Sequence, residues 1–426
     1  MTIAVFTFSL LGAMALGMPI AFALLVCGVA LMLQVGMFDS QIIAQNIING
    51  ADSFPLLAVP FFMLAGELMN AGGLARRIVN VALTIVGHVK GGLGYVAILA
   101  SCMLASLSGS AVADAAALAS LLVPMMVSAG HNKARSAGLV AAGGIIAPII
   151  PPSIGFVIFG VAGGVSISKL FLAGIFPGLM LGVGLAVAWW WVVRREDVTP
   201  LPRKSLREIG QAIIEGFWAL MIPFIIVFGL RFGVFTPTEA AVVVAVYSLF
   251  VATVIYGELK LADLPALFIR AGITTSVVMF LVAAALVSSW LITIAEISQQ
   301  IVDLVKPFMG NQTLLLIVIM LIVVVVGTAL DMTPTILILT PVLMPIVKAA
   351  GIDPVYFGVL FIINCAIGLI TPPVGTVLNV VCGVSKISME DIIKGVMPFM
   401  IAQLAVLFLL ILFPILVTGP ARWLAG

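Results

Sequence analysis

The sequence predicts an all-α polytopic membrane protein whose two halves repeat one design, each with a broken helix and a re-entrant hairpin. Three observations carry that reading. Of 426 residues, 63% are apolar and 8% charged, with a mean hydropathy of +1.34; a soluble domain would carry roughly three times that charged share. Apolar runs long enough to cross a ~30 Å hydrocarbon core recur along the whole length. Finally, Ala147-Pro-Ile-Ile-Pro-Pro-Ser-Ile-Gly155 is echoed 221 residues later by Gly368-Leu-Ile-Thr-Pro-Pro-Val-Gly375.

Taken in order, the first apolar run, from Ile3 to about Leu33, follows no Lys or Arg and exceeds a signal peptide's apolar region, so it is expected to remain as a span. Ten to twelve spans plus two re-entrant pairs fit the hydropathy. Arg194, Arg195, Arg203, Lys204 and Arg207 form a Pro-containing polar link, which the excess of basic residues in cytoplasmic loops places in the cytoplasm. That link divides the chain into residues 1–205 and 206–426. Each half is expected to hold a scaffold arm, a hairpin (about 90–128 and 314–347) and a broken helix (about 137–165 and 355–384).

The halves overlay at offsets of 217 to 223 residues: Ile78-Val-Asn80 matches Ile301-Val-Asp303, Gly87 matches Gly310, and Asp114 and Pro124 match Asp331 and Pro341. Shared Gly, Pro and Ser punctuation in one order marks a duplication. Broken-helix transporters are commonly built from inverted repeats, so inversion is the expectation here.

Polar groups concentrate at the hairpin tips. The first is Ser106-Leu-Ser-Gly-Ser-Ala-Val-Ala-Asp114 and the second Gly327-Thr-Ala-Leu-Asp-Met-Thr-Pro-Thr335. Small residues alone would make a helix-packing face. A carboxylate at the same place in both tips is different, because an intramembrane Asp is expensive and functional by default. Each double proline removes backbone donors and pushes the preceding residue out of the helical region. Gly144, Ala147, Pro148, Gly368 and Thr371 are therefore expected to offer unpaired carbonyl oxygens, suited to a small cation. The half-helices that follow leave N–H groups at Ser153 to Gly155 and Val374 to Thr376 for an anion. Cation and anionic solute would bind side by side, which is the physics of coupled symport.

Other signals are weak. Glu67, Arg231, Glu239 and Glu296 read as ion pairs, helix-end groups or scaffold contacts; His88 and His131 read as solvated. Cys27, Cys102, Cys365 and Cys382 lack metal-ligand spacing and read as packed thiols. A net charge of +2 suggests no nucleic-acid partner. No cofactor or transition metal is expected.

Gly17-Met-Pro-Ile-Ala-Phe-Ala, Pro60-Phe-Phe-Met-Leu-Ala-Gly-Glu-Leu-Met69, Ser108-Gly-Ser-Ala-Val-Ala-Asp114, Pro148-Ile-Ile-Pro-Pro-Ser153 and Thr371-Pro-Pro-Val-Gly375 together resemble the large membrane subunit of tripartite ATP-independent periplasmic (TRAP) transporters. The resemblance implies a bacterial inner-membrane permease, not an enzyme, driven by sodium. It also implies a small four-helix membrane subunit and a periplasmic substrate-binding protein as partners, and an elevator-type transport domain sliding on a scaffold. Residues carried over by motif are Ser106, Ser108, Gly144, Ala147 and Pro148 for one sodium, and Gly327, Gly368, Thr371 and Val374 for a second. Solute, an organic acid, would lie near Ser108, Ser153 and Asp331. A negative Asp331 would repel a second carboxylate yet accept hydrogen bonds from hydroxyls, which favours sialic acid slightly over a C4-dicarboxylate.

Three alternatives fit the same residues, a channel among them, although repeated broken helices suit alternating access better. A self-sufficient sodium/dicarboxylate symporter would share the hairpins and breaks but need no binding protein. An intramembrane aspartyl protease would use Asp114 and Asp331 as a proton-sharing pair, although neither aspartate sits in the Tyr-Asp or Gly-x-Gly-Asp setting of that family.

Overall fold

The structure is a computed structural model that describes residues 2–194, 196 and 198–425. Arg195 of the basic link lies outside the described residues, as do Met1, Asp197 and Gly426. Among the described residues the regular structure is helical, without strands. The first half runs α1 (Thr2–Ala15), α2 (Ile20–Val35), α3 (Ser40–Ala51), α4 (Ala58–Ala71) and α5 (Leu74–Val86). The hairpin α6 (Gly92–Ser108) and α7 (Ala111–Ser128) follows, then the interrupted pair α8 (Lys133–Gly144) and α9 (Ile154–Gly163), and α10 (Ile167–Val193). The second half opens with α11 (Leu206–Arg231), α12 (Pro237–Phe250), α13 (Leu264–Ile294) and α14 (Ile297–Val305). It repeats the hairpin as α15 (Gln312–Gly327) and α16 (Met332–Ala349), the interrupted pair as α17 (Pro354–Gly368) and α18 (Thr376–Ser385), and closes with α19 (Met389–Leu412) and α20 (Ile415–Ala425).

Local sequence sets these bounds. Ser110, Asn132, Ser153, Ser166, Asp353 and Ser388 each accept a backbone N–H at a helix start, an arrangement worth about 1 kcal/mol per cap. Ser205 with Glu208, and Thr236 with Glu239, form reciprocal capping boxes on α11 and α12. Between α6 and α7 the chain reverses through Gly109 at φ 61°, a conformation that side chains with a Cβ resist.

One expectation needs correction. The apolar run from Ile3 to Leu33 is two helices, because Gly17 at φ 79° and Pro19 at the start of α2 break it. Eight helices have the length and composition to cross a bilayer among the described residues. Two of these, Ala111–Ser128 and Met332–Ala349, are hairpin arms; further crossings are assembled from shorter pieces such as α8 with α9 and α17 with α18.

Helix directions follow from four contacts. Gln403 Nε2 on α19 donates to the Ala142 carbonyl near the end of α8 at 2.7 Å, while Gly395, early in α19, sits on the Ala134 carbonyl. These helices are therefore parallel. Tyr356, at the start of α17, donates to the Leu410 carbonyl at the end of α19 at 2.9 Å, and Thr371 Oγ1 lies 3.7 Å from Met400 Sδ. The chain from α17 thus runs against α19, so the two interrupted helices are antiparallel and the repeats inverted.

The repeats also exchange contacts. Helix α9 packs on α16, where Gly155 meets Met332 and Gly163 lies against Thr340 and Met344; α18 packs on α7. Outside this core, α4 lies on α12, α2 and α3 on α13, and α5 on α11. Ser288 of α13 donates to the Leu24 carbonyl of α2 at 2.8 Å.

Past the end of α10, the link between halves begins as a clamp. Trp189 Nε1 donates to the Gly91 carbonyl at 2.8 Å. Glu196 takes Arg135 at 2.8 Å and His131 Nδ1 at 3.1 Å. His131 is therefore buried against Trp189 rather than solvated, because α10 returns over the base of the first hairpin. The four cysteines are free thiols, as their spacing suggests.

Candidate functional site

The first hairpin tip is held by its own carboxylate. Ser108 Oγ donates to Asp114 Oδ1 at 2.5 Å and accepts the Ser110 N–H at 3.1 Å. Asp114 is 4% exposed, and its Oδ2 has no hydrogen-bond partner among the described residues. Such an orphan is costly in an apolar interior unless a cation or proton meets it. Ser106 Oγ donates to the Met103 carbonyl at 2.7 Å, leaving its lone pairs toward other partners.

The first break packs on this tip. A Cβ on Gly144 would lie 2.6 Å from Ala115 Cβ, and one on Gly109 would collide with the Pro152 carbonyl. The chain leaves α8 through tight turns, with the Ala147 N–H on the Gly144 carbonyl at 3.1 Å. Gly144 is thus not an unpaired carbonyl, as the proline argument alone suggests; one lone pair is used by the turn. Pro148 is likewise engaged, by the Ser153 hydroxyl. Ser153 also accepts the Phe156 N–H at 3.1 Å and is fully buried. The structure therefore makes Ser153 the brace and cap of the break, with its hydroxyl already spent, rather than an open solute ligand. Among the described residues, the Ala147 carbonyl accepts no backbone bond.

The second site has the same parts in a more open setting. Gly327 and Gly368 touch backbone to backbone. The Thr371 N–H closes a turn on the Gly368 carbonyl at 3.0 Å, so this carbonyl too is partly paired, while the Thr371 carbonyl accepts no backbone bond among the described residues. The Val374 N–H reaches the Thr328 carbonyl of the hairpin at 3.4 Å, which leaves Gly375 and Thr376 as the donors at the start of α18. Asn379 Nδ2 holds the Val374 carbonyl at 2.7 Å. Asp331 is exposed, starts α16 without capping it, and accepts the Thr376 hydroxyl at 3.2 Å.

The two sites thus differ in access. Pro151, Pro152 and Ser153 are buried, whereas Pro373, Asp331 and Val374 face open space, Val374 at 41% exposure. Each aspartate bonds a hydroxyl of its own neighbourhood, and no hydrogen bond joins Asp114 to Asp331. At the first break, Gly109 meets the Pro152 carbonyl and Gly144 meets Ala115 of the tip; at the second, Gly327 meets Gly368 and the Val374 N–H meets the Thr328 carbonyl.

Sequence reasoning misses Thr376 as a side chain, although its position after Pro-Pro-Val-Gly is visible. It also misses Gln403, whose amide caps the Ala142 carbonyl from another helix. Among the remaining ionisable groups, Glu239 is a capping group and Arg231 lies over the Trp423 ring at 4.8 Å, both structural as expected. No group of three metal-ligating side chains occurs among the described residues.

A family profile described as the DctM component of the tripartite ATP-independent periplasmic transporter matches residues 7–416. The chain is 57% identical over 424 residues to the 2,3-diketo-L-gulonate TRAP transporter large permease protein YiaN of Escherichia coli, covering 100% of both chains. It is 39% identical to the sialic acid TRAP transporter large permease protein SiaM of Vibrio cholerae, covering 96% of this chain and 95% of the relative. Among solved structures, the Alcanivorax borkumensis YdaH transporter, described as having an unusual topology, superposes with a TM-score of 0.60 at 13% identity over 87% of this chain and 86% of that one, a likeness of fold alone.

Proposed function

The chain belongs to the TRAP transporter family as its large permease component, a multi-pass inner-membrane protein, and from that membership we propose that it moves a hydroxylated organic acid inward on a sodium gradient. Membership implies a small membrane subunit and a periplasmic binding protein as partners. The carrying observation is the meeting of each hairpin tip with a double-proline break, one tip holding the buried Ser108–Asp114 pair and the other the open Asp331–Thr376 pair.

In this reading, the Ala147 carbonyl, the hydroxyls of Ser106 and Ser108 and the charge of Asp114 hold one sodium, with the Gly144 and Pro148 carbonyls around it. Gly327, Gly368, Thr371 and Val374 hold a second through backbone oxygens. Neutral oxygens in number, with one buried carboxylate nearby, suit a small monovalent cation. The solute carboxylate takes the N–H groups of Gly375 and Thr376 at the start of α18, where the helix dipole favours an anion. Its hydroxyls bond Asp331. Sodium bound close by offsets part of the solute's charge, so each favours the other's binding.

The solute we favour is a keto sugar acid of the 2,3-diketo-L-gulonate kind. One carboxylate with several hydroxyls suits Asp331, as it would in sialic acid, and the diketogulonate relative is 57% identical against 39% for the sialic acid relative. Alternating access would come from the hairpins and interrupted helices moving together as an elevator against α1 to α5 and α11 to α14.

Proteoliposomes holding the permease with its small subunit test the proposal. Uptake of diketogulonate should require both an inward sodium gradient and the binding protein. Uptake without the binding protein would make the chain a self-sufficient symporter, and uptake on a pH gradient alone would remove sodium from the account.

A further inference from the structure

Helices α10 and α19 run antiparallel, with Gly184 against Val406 at one end and Trp189 against Phe399, ring centroids 6.2 Å apart, at the other. On their outer face they leave a groove of about 870 Å³ whose lining is apolar, from Gly184, Ala188, Ala402 and Ala405 on its floor to Leu409 at its far end. Small residues make it deep enough for a chain of methylenes. Its cytoplasmic mouth is formed by Trp190 and Trp191, 56% and 53% exposed. The Arg194 guanidinium lies over both indoles, 5.5 and 5.7 Å from their centroids.

Among the described residues, Arg194 and its neighbour Lys90 make that mouth basic. Among the described residues Arg194 has no carboxylate partner, nor have Lys90, which donates to the Arg194 carbonyl at 3.3 Å, and Lys133. Lys394, near the start of α19, pairs with Glu390 at 2.6 Å. Indoles at headgroup depth, a cation beside them and an apolar slot descending from both match the parts of a phospholipid in order.

We propose that this groove binds one anionic phospholipid of the cytoplasmic leaflet, with an acyl chain between α10 and α19 and the phosphate beside Arg194. Because α10 and α19 flank the interrupted helices α8 and α17, the lipid travels with these elements rather than with the α11–α13 face. A generic apolar surface would attract chains without regard to headgroup; the Arg194 guanidinium, which has no carboxylate partner among the described residues, is what makes this site selective.

Tryptophan quenching by brominated lipids tests it, using the permease with its small subunit in vesicles. The signal of Trp190 and Trp191 is isolated by comparison with a variant carrying both Trp→Phe changes. Brominated phosphatidylglycerol should quench that signal at about five-fold lower mole fraction than brominated phosphatidylcholine, the effect of one basic residue at an anionic surface. Arg194→Gln should erase the preference while leaving quenching by phosphatidylcholine unchanged, and Ala405→Phe, which fills the groove, should weaken quenching by both. Thermal unfolding of each variant verifies that it is folded. Equal quenching by the two lipids in the unsubstituted protein overturns the proposal, as ordinary lipid contact. Absence of quenching in the complex, with quenching in the isolated permease, overturns it in favour of a partner helix in the groove.

Discussion

Gly327 and Gly368 join the second hairpin to the second interrupted helix with no side chain between them: a Cβ on Gly368 would lie 2.9 Å from the Gly327 carbonyl oxygen. Gly368→Ala must push the two backbones apart, an overpacking of about 1 to 3 kcal/mol. Sodium-driven uptake should fall by about ten-fold or more while the melting temperature of the complex drops by a few degrees. Unchanged uptake would show that this contact does not shape the site.

Ser153→Ala removes both the cap of α9 and the brace on Pro148, together about 2 kcal/mol. The variant should be less thermostable but keep its solute KM, since the hydroxyl is spent within the break. A KM shift with unchanged stability would return Ser153 to the role of solute ligand.

Asp331→Asn keeps an oxygen for Thr376 but loses the charge that hydroxyls of the solute find. The expected result is a KM raised by up to about ten-fold, with sodium dependence retained. Uptake that becomes independent of sodium in this variant would mean that Asp331 takes part in coupling.

Asp114→Asn, by contrast, should act on the cation. Ser108 keeps an acceptor, yet the buried negative charge is gone. The sodium concentration for half-maximal stabilisation, read by thermal unfolding without solute, should rise by about ten-fold, equivalent to ~1.4 kcal/mol of charge-assisted interaction. An unchanged sodium response would exclude Asp114 from that site.

Glu196→Gln should loosen the start of the link between halves. Trypsin then cuts at Arg203, Lys204 or Arg207 several times faster than in the unsubstituted protein, as expected when a local opening becomes cheaper. Equal cleavage rates would show that Trp189 on Gly91 holds the link by itself.

What was readable in the sequence is what local chemistry decides. Pro151-Pro152 and Pro372-Pro373 stop one helix and start another regardless of their neighbours, so α9 and α18 begin just after them. The polar tips at Ser108 and Asp331 were equally visible, because small and charged residues stand out in apolar sequence. Tertiary partners were not. Nothing near Ala142 announces that Gln403 will cap it from another helix, and the solvated reading of His131 failed because Glu196 and Trp189 reach it from the far end of α10. The carbonyls of Gly144 and Gly368 are partly paired for a related reason: the chain tightens into short turns as a helix ends, and recovers hydrogen bonds that a straight helix would lose.

The exchange of contacts between repeats has a consequence for biosynthesis. Helix α7 leaves the ribosome some 250 residues before α18, the helix that covers it. At about 5 to 20 residues per second that is a wait of roughly 12 to 50 s. Through that interval the face of α7 that α18 will cover lacks its partner, although first-half residues such as Gly66 and Pro152 can already pack on the Ser108–Asp114 tip. Insertion machinery or chaperones that shield such a face become relevant to how much permease a cell can make, and substitutions on that face of α7 should reduce yield before they reduce transport.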